Sequence, residues 1–267
     1  MSKRAQCGVS ILALVAAAGL TGPAMADPVN LSDWTTVGNS GTSGADGAVD
    51  LSPFASSEYG WISTDDGADM DGLGVEDETT GSTITSPTFS ADAGDELDFY
   101  FNYVTSDGGS YTDYGWAQVL PVGDDPIQLF TARTNPDGDT VPGFGLPEPD
   151  VDVTLDPEDT PVVSGAPQWS PLGDSSGDCW DDGCGSTDWV NASFLFDQAG
   201  EYSLQFGVVN WADTAYQSGL AFDGATIGGA DIGDDPAQVP APGALALMSI
   251  GLAGIGMAMR RRWTSRQ

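Results

Sequence analysis

Histidine is absent from the 267 residues of this chain, and its absence removes a large region of chemistry. A Ser-His-Asp or Cys-His nucleophile cannot be assembled in its usual form, and a histidine-ligated zinc is excluded. Basic residues are almost as scarce, seven against 40 acidic ones. Lys3 and Arg4 stand near one end and Arg260, Arg261, Arg262 and Arg266 near the other, which leaves Arg133 alone in the long middle of the chain. All the acidic residues lie between Asp27 and Asp235, so this body sets one arginine against 40 carboxylates, a formal charge of −39. A surface of that sign repels nucleic acid and anionic membrane, and it repels itself unless counter-ions screen it. Adaptation to a saline habitat accounts for such a charge; a fold that takes up calcium is compatible with it. Amphipathic periodicity of the helical kind is also missing from the body.

Two-residue alternation takes its place. Leu97, Phe99, Phe101 and Tyr103 fall on one face of a strand, with Asp98, Tyr100 and Asn102 on the other, and Tyr202, Leu204, Phe206 and Val208 repeat the pattern. The flanking Ala93-Gly94-Asp95, Ser106-Asp107-Gly108-Gly109 and Ala199-Gly200 read as turns. Further strands are expected over 115–121, 127–132, 151–155, 189–196 and 219–227. Many short strands separated by turn residues, with 36 glycines and 17 prolines, predict an all-β fold: a single β-sandwich of jelly-roll type over 27–227. The Pro-, Gly- and Asp-rich stretches 135–149 and 156–177 are expected as long acidic loops at one end of the sandwich, and 228–238 as a flexible linker.

With histidine and lysine gone, carboxylates carry whatever chemistry the body has. Glu96 and Asp98, two apart on one strand face, have the spacing that glycoside hydrolysis needs, but solvated strand-edge residues have it too. Calcium takes oxygen ligands from closely spaced aspartates around a glycine. Asp65, Asp69 and Asp71 form one such group, and Asp137 and Asp139, around Gly138, a second; neither completes an EF-hand loop. Cys179 and Cys184 are the two cysteines of the body, and in an oxidising compartment they are expected to pair as a disulfide across Trp180-Asp181-Asp182-Gly183. Trp169 and Trp180 lie in polar loops, where an exposed indole could stack on a sugar ring.

The two ends read as addresses. Lys3-Arg4, the apolar stretch 9–20 and Ala24-Met25-Ala26 make the three-part pattern of a secretory signal peptide over 1–26. At the other end stand Val239-Pro240-Ala241-Pro242, an uncharged run from Gly243 to Met259 and Arg260-Arg261-Arg262. As a helix that run is about 25 Å long, the short limit for crossing a bilayer. The segment 239–267 resembles the sorting tail of PEP-CTERM proteins, with Ala241 in place of the family's glutamate. The resemblance implies export by a Gram-negative bacterium and processing by an exosortase-type protease. It also implies passage through the inner membrane on the C-terminal helix, then residence at the cell surface or outside, in association with exopolysaccharide or biofilm. The closing half of the body, from Cys179-Trp180 and Cys184-Gly185 through Phe206-Gly207-Val208-Val209-Asn210 to Ser218–Gly224, is similar to globular domains carried by such proteins, which implies a fold and no reaction. The expected function is therefore a non-catalytic surface or matrix protein. A carbohydrate-binding module and a carboxylate-dependent glycoside hydrolase are the alternatives.

Overall fold

Strands form where aromatic and β-branched residues alternate, because each then lays one face on the core and the other toward solvent or a covering loop. A computed structural model describes residues 29–54, 56–109, 111–135 and 138–232. The signal segment, most of the linker, the sorting residues Val239, Pro240, Pro242, Arg260, Arg261 and Arg262, and Asp137 of the second calcium group lie outside the described residues.

In chain order the strands are β1 (Thr35–Val37), β2 (Asn39–Ser43), β3 (Tyr59–Ser63), β4 (Ala68–Asp69), β5 (Glu78–Thr85), β6 (Phe89–Ala91), β7 (Glu96–Thr105) and β8 (Tyr114–Pro121). They continue with β9 (Ile127–Ala132), β10 (Thr154–Asp156), β11 (Val163–Ser164), β12 (Gly185–Ser186), β13 (Val190–Leu195), β14 (Gly200–Trp211), β15 (Ser218–Ile227) and β16 (Ala230–Asp231). A short 3-10 helix, Ser170–Ser175, precedes β12. One sheet runs β1-β5-β14-β8-β9 and the other β10-β13-β7-β15-β3-β2, and the paired neighbours are antiparallel.

Eight strands, β3, β5, β7, β8, β9, β13, β14 and β15, carry the architecture. Numbered by their order in the chain, the first sheet holds the second, seventh, fourth and fifth, and the other sheet the sixth, third, eighth and first. This interleaving is the jelly roll, two Greek keys wrapped around one core.

The alternation of β7 and β14 aims inward as expected. Leu97, Phe99, Phe101 and Tyr103 meet Tyr202, Leu204, Phe206 and Val208 in the main core, all of them buried. Phe101 stacks on Phe130 at 3.9 Å between ring centres, and Phe206 on Phe222 at 4.5 Å. Each such side chain contributes roughly 1.5–3 kcal/mol by leaving water. The sandwich also has a smaller cluster on each outer face. Tyr59, Val104 and Ala221 are covered by Trp169 and Leu172, and Tyr114, Trp116 and Val209 by Leu146, Met70, Leu73 and Val75.

Both long loops leave the sheets at the same end, after β9 and after β10. The first of them protects a sheet edge, because β9 is an edge strand and open edges template aggregation. Gly143 N–H donates to the Thr131 carbonyl at 2.9 Å, Arg133 N–H to the Thr140 carbonyl at 3.0 Å and Asp150 N–H to the Gln128 carbonyl at 3.0 Å, so the loop closes that edge. The same contacts explain why the strand expected over 151–155 shrinks to Thr154–Asp156. Val151 and Val153 lie against the main core, in a stretch that follows the Asp150–Gln128 contact.

Candidate functional site

At the end of the sandwich where the long loops emerge, three turns meet: the turn that follows β7, the cysteine turn before β12, and the connection from β14 to β15. Pairing of Gly185 with Thr105 and of Ser186 with Val104 brings the cysteine turn onto the end of β7. Trp180 N–H then donates to the Ser106 carbonyl at 3.0 Å and Gly109 N–H to the Asp182 carbonyl at 3.0 Å. Gly108 permits this approach, since a Cβ there would stand 2.5 Å from the Asp182 carbonyl oxygen. The Cys179–Cys184 disulfide closes the turn, with the Cα atoms 5.7 Å apart. Cys184 is buried beneath it, while Trp180 at its tip is 52% exposed.

Trp180 packs on Tyr216, which comes from the β14–β15 connection, with ring centres 5.3 Å apart and planes tilted by 44°. That connection holds two non-glycine residues in the left-handed region, Ala212 at φ 69° and Tyr216 at φ 57°. Each such residue costs roughly 1–2 kcal/mol relative to ordinary backbone. The conformation is braced by Ala215 N–H donating to Asp213 Oδ1 at 2.8 Å, by Gln217 Nε2 to the Thr214 carbonyl at 3.0 Å and by Gln217 N–H to Ser175 Oγ at 3.2 Å. Local strain is therefore held in place to present one aromatic ring to another.

Carboxylates flank this pair along the chain. Asp178, Asp181 and Asp182 are carried by the cysteine turn, all three exposed, and Asp213 is half-buried on the neighbouring connection. Behind them Asp107 is 1% exposed, with Oδ1 accepting the Gly108 N–H at 2.7 Å and Oδ2 meeting no hydrogen-bond partner. Burial, and to a smaller extent the charge of Asp213, push its carboxyl up to about 7. Asp113 is buried as well, with Oδ1 accepting the Trp211 N–H at 2.9 Å and Oδ2 the Ser218 hydroxyl at 2.6 Å. Burial first, then the charge of Asp107, hold its carboxyl far above the usual range.

Among the described residues no surface cation offsets this group. Arg133 is 7% exposed, its guanidinium 5.1 Å from the ring centres of Tyr114 and Trp211, and its Nε and Nη2 meet no hydrogen-bond partner. Desolvation lowers its pKa.

The residues singled out in the sequence have different fates. The cysteines pair. Trp180 is exposed as expected, but Trp169 is fully buried, with Nε1 donating to the Tyr59 hydroxyl at 3.0 Å and its ring against Gly219. Its loop is polar on the outer side only, and the indole turns inward onto β3 and β15. The expected calcium group also fails to assemble. Among the described residues no three His, Cys, Asp or Glu side chains converge as metal ligands. Asp69 is drawn into β4 opposite Thr80, while the Asp65 carboxylate lies against Gly173 near Asp174, and Asp71 and Asp139 are exposed. Glu96 and Asp98 lie at the start of β7, at the other end of the sandwich from the aromatic pair, with the Asp98 carboxyl raised by burial and by Glu96.

Sequence reading misses Tyr216 and the buried Asp107 and Asp113. Asp107-Gly108-Gly109 announces a turn, but nothing in it announces burial. A cleft of about 490 Å³ opens nearby between 47–50, 163–168 and 185–188, but no aromatic ring lines it.

Fold and loops together define a jelly-roll β-sandwich that presents an aromatic pair on its loop end. No family model matches the chain and no curated protein matches it. Among solved structures it is similar to one described as TmCBM61 in complex with beta-1,4-galactotriose, at 9% identity and a TM-score of 0.34, over 74% of this chain and 88% of that one.

Proposed function

We propose that this chain is an exported, non-catalytic protein that binds polysaccharide through the Trp180–Tyr216 pair at the loop end of its sandwich. The observation that carries the reading is the half-exposed indole of Trp180, held by the disulfide and by the Ser106 carbonyl and packed at a tilt on a strained tyrosine. An exposed apolar ring is costly to keep in water, and a flat face of this kind suits the C–H surface of a sugar.

Titration with a panel of soluble glycans tests this. A binding glycan is expected to quench tryptophan emission, and Trp180→Ala to abolish the response while leaving the fold intact. Trp169→Ala is expected instead to lower stability by about 3–5 kcal/mol, as loss of a buried indole does. Silence of the wild-type protein across neutral, acidic and amino-sugar polymers would sink the reading.

Export and sorting complete the proposal. The signal pattern at 1–26 and the tail at 239–267 support it, with Val239, Pro240 and Pro242 as the recognition stretch for an exosortase-type protease and the apolar run as a passing membrane helix. Mass spectrometry of the exported protein is expected to find the segment after Pro242 missing in a strain that has the protease and present in one that lacks it. An intact tail in both strains would make the run a permanent anchor.

A further inference from the structure

The ring pair alone does not choose among sugars; the charge around it does. The described body offers a ligand no surface cation, since it has no lysine or histidine and Arg133 is buried between two rings. The turn that carries Trp180 also carries Asp178, Asp181 and Asp182, and the connection that carries Tyr216 also carries Asp213. Behind them, Asp107 keeps a buried carboxylate oxygen without a partner, within electrostatic reach of Asp213. A uronate or sulfated polymer meets only repulsion here, and a neutral glycan leaves the exposed carboxylates as they are.

Resting on the glycan-binding reading above, we infer that the ligand is an amino-sugar polymer with free ammonium groups, a partly de-N-acetylated chain. One ring stacks on Trp180 and Tyr216 while its ammonium substituents face Asp181, Asp182 and Asp213. Cations in this position neutralise like charges crowded at one end of the molecule, and the aromatic faces themselves attract them. Desolvation at the rings strengthens each pairing relative to one made in open water.

A glucosamine tetramer, its fully N-acetylated counterpart, a neutral glucan oligomer and spermine, an amine without a sugar ring, are each titrated by tryptophan emission and calorimetry at low ionic strength. The glucosamine tetramer is expected to bind about tenfold more tightly than its N-acetylated counterpart, the gain of a few partly exposed charge pairs. That difference should vanish in Asp181→Asn/Asp213→Asn, which keeps the side-chain oxygen that accepts the Ala215 N–H. Equal binding of the N-acetylated or neutral oligomer overturns this inference and leaves the glycan reading standing. Binding by none of the sugars overturns both. Spermine binding as tightly as the glucosamine tetramer, with Trp180→Ala changing neither, reduces the effect to diffuse charge and overturns the inference as well.

Discussion

Asp107 shows how one residue can link the protein's stability to pH. Its carboxyl is held at about 7 against an ordinary value of 3.8, so between those values the folded state keeps a proton that the unfolded state has released. The stabilisation is present in full below about pH 4 and is lost as pH rises through about 7, which is opposite in sign to the usual salt-bridged aspartate. Asp113 is shifted in the same direction by its burial, so the two act together. Asp107→Asn keeps an oxygen for the Gly108 N–H and removes the charge. It is expected to raise stability at about pH 8 by on the order of 3 kcal/mol and to leave it unchanged near pH 4, flattening the melting temperature between them. A variant whose melting curve tracks the wild type at every pH contradicts the burial of an ionisable Asp107.

Among the elements, the cysteine turn is where covalent and non-covalent restraint can be separated. The bridged residues are five apart in sequence, and closing so small a loop removes about 2 kcal/mol of unfolded-state freedom in the chain-entropy model. Cys179→Ser/Cys184→Ser is expected to lower the melting temperature by about 4–8 °C for a domain of this size. It should also weaken glycan binding, since the turn that carries Trp180 then rests on the Ser106 and Asp182 backbone contacts and the Tyr216 ring without a covalent tie. Unchanged melting and binding would leave the bridge without a role. Elements also differ in how plainly the sequence announces them. β7, β9 and β14 stand out because large apolar residues alternate in them, and β13 and β15 follow to within a residue or two. β5, Glu-Thr-Thr-Gly-Ser-Thr-Ile-Thr, gives no such signal although it lies between β1 and β14. Its small residues are a consequence of packing, since Gly81 lies under Met70 and the Val208 backbone. Trp116 in β8, on the far side of β14, likewise needs Gly207 beneath its ring. Trp169 departs from the sequence expectation for a related reason: a loop's polarity describes its wet side, and a glycine on the sheet below, Gly219, is what admits the indole. The candidate site was half legible. Trp180 could be read from its cysteines, while Tyr216 depends on a backbone conformation that a tyrosine does not advertise.

At the scale of the whole molecule the dominant fact is the charge of the body, −39 with its one arginine buried. The jelly roll confines those carboxylates to a closed surface, where the loops at one end concentrate them further, and the unfolded chain lets them spread apart. Repulsion therefore opposes folding, and salt should relieve it: the screening length falls from about 10 Å at 0.1 M to about 3 Å at 1 M. The melting temperature is expected to rise steadily with sodium chloride over that range, and to rise equally with potassium chloride, because no described group of carboxylates forms an ion-specific site. Calcium chloride at matched ionic strength separates screening from binding. A further saturable rise at low millimolar calcium would reveal a ligand set, with Asp137, outside the described residues, among its candidates; a melting temperature that falls with added salt would show that the charge is already neutralised within the fold, which the cation-poor loop end does not permit.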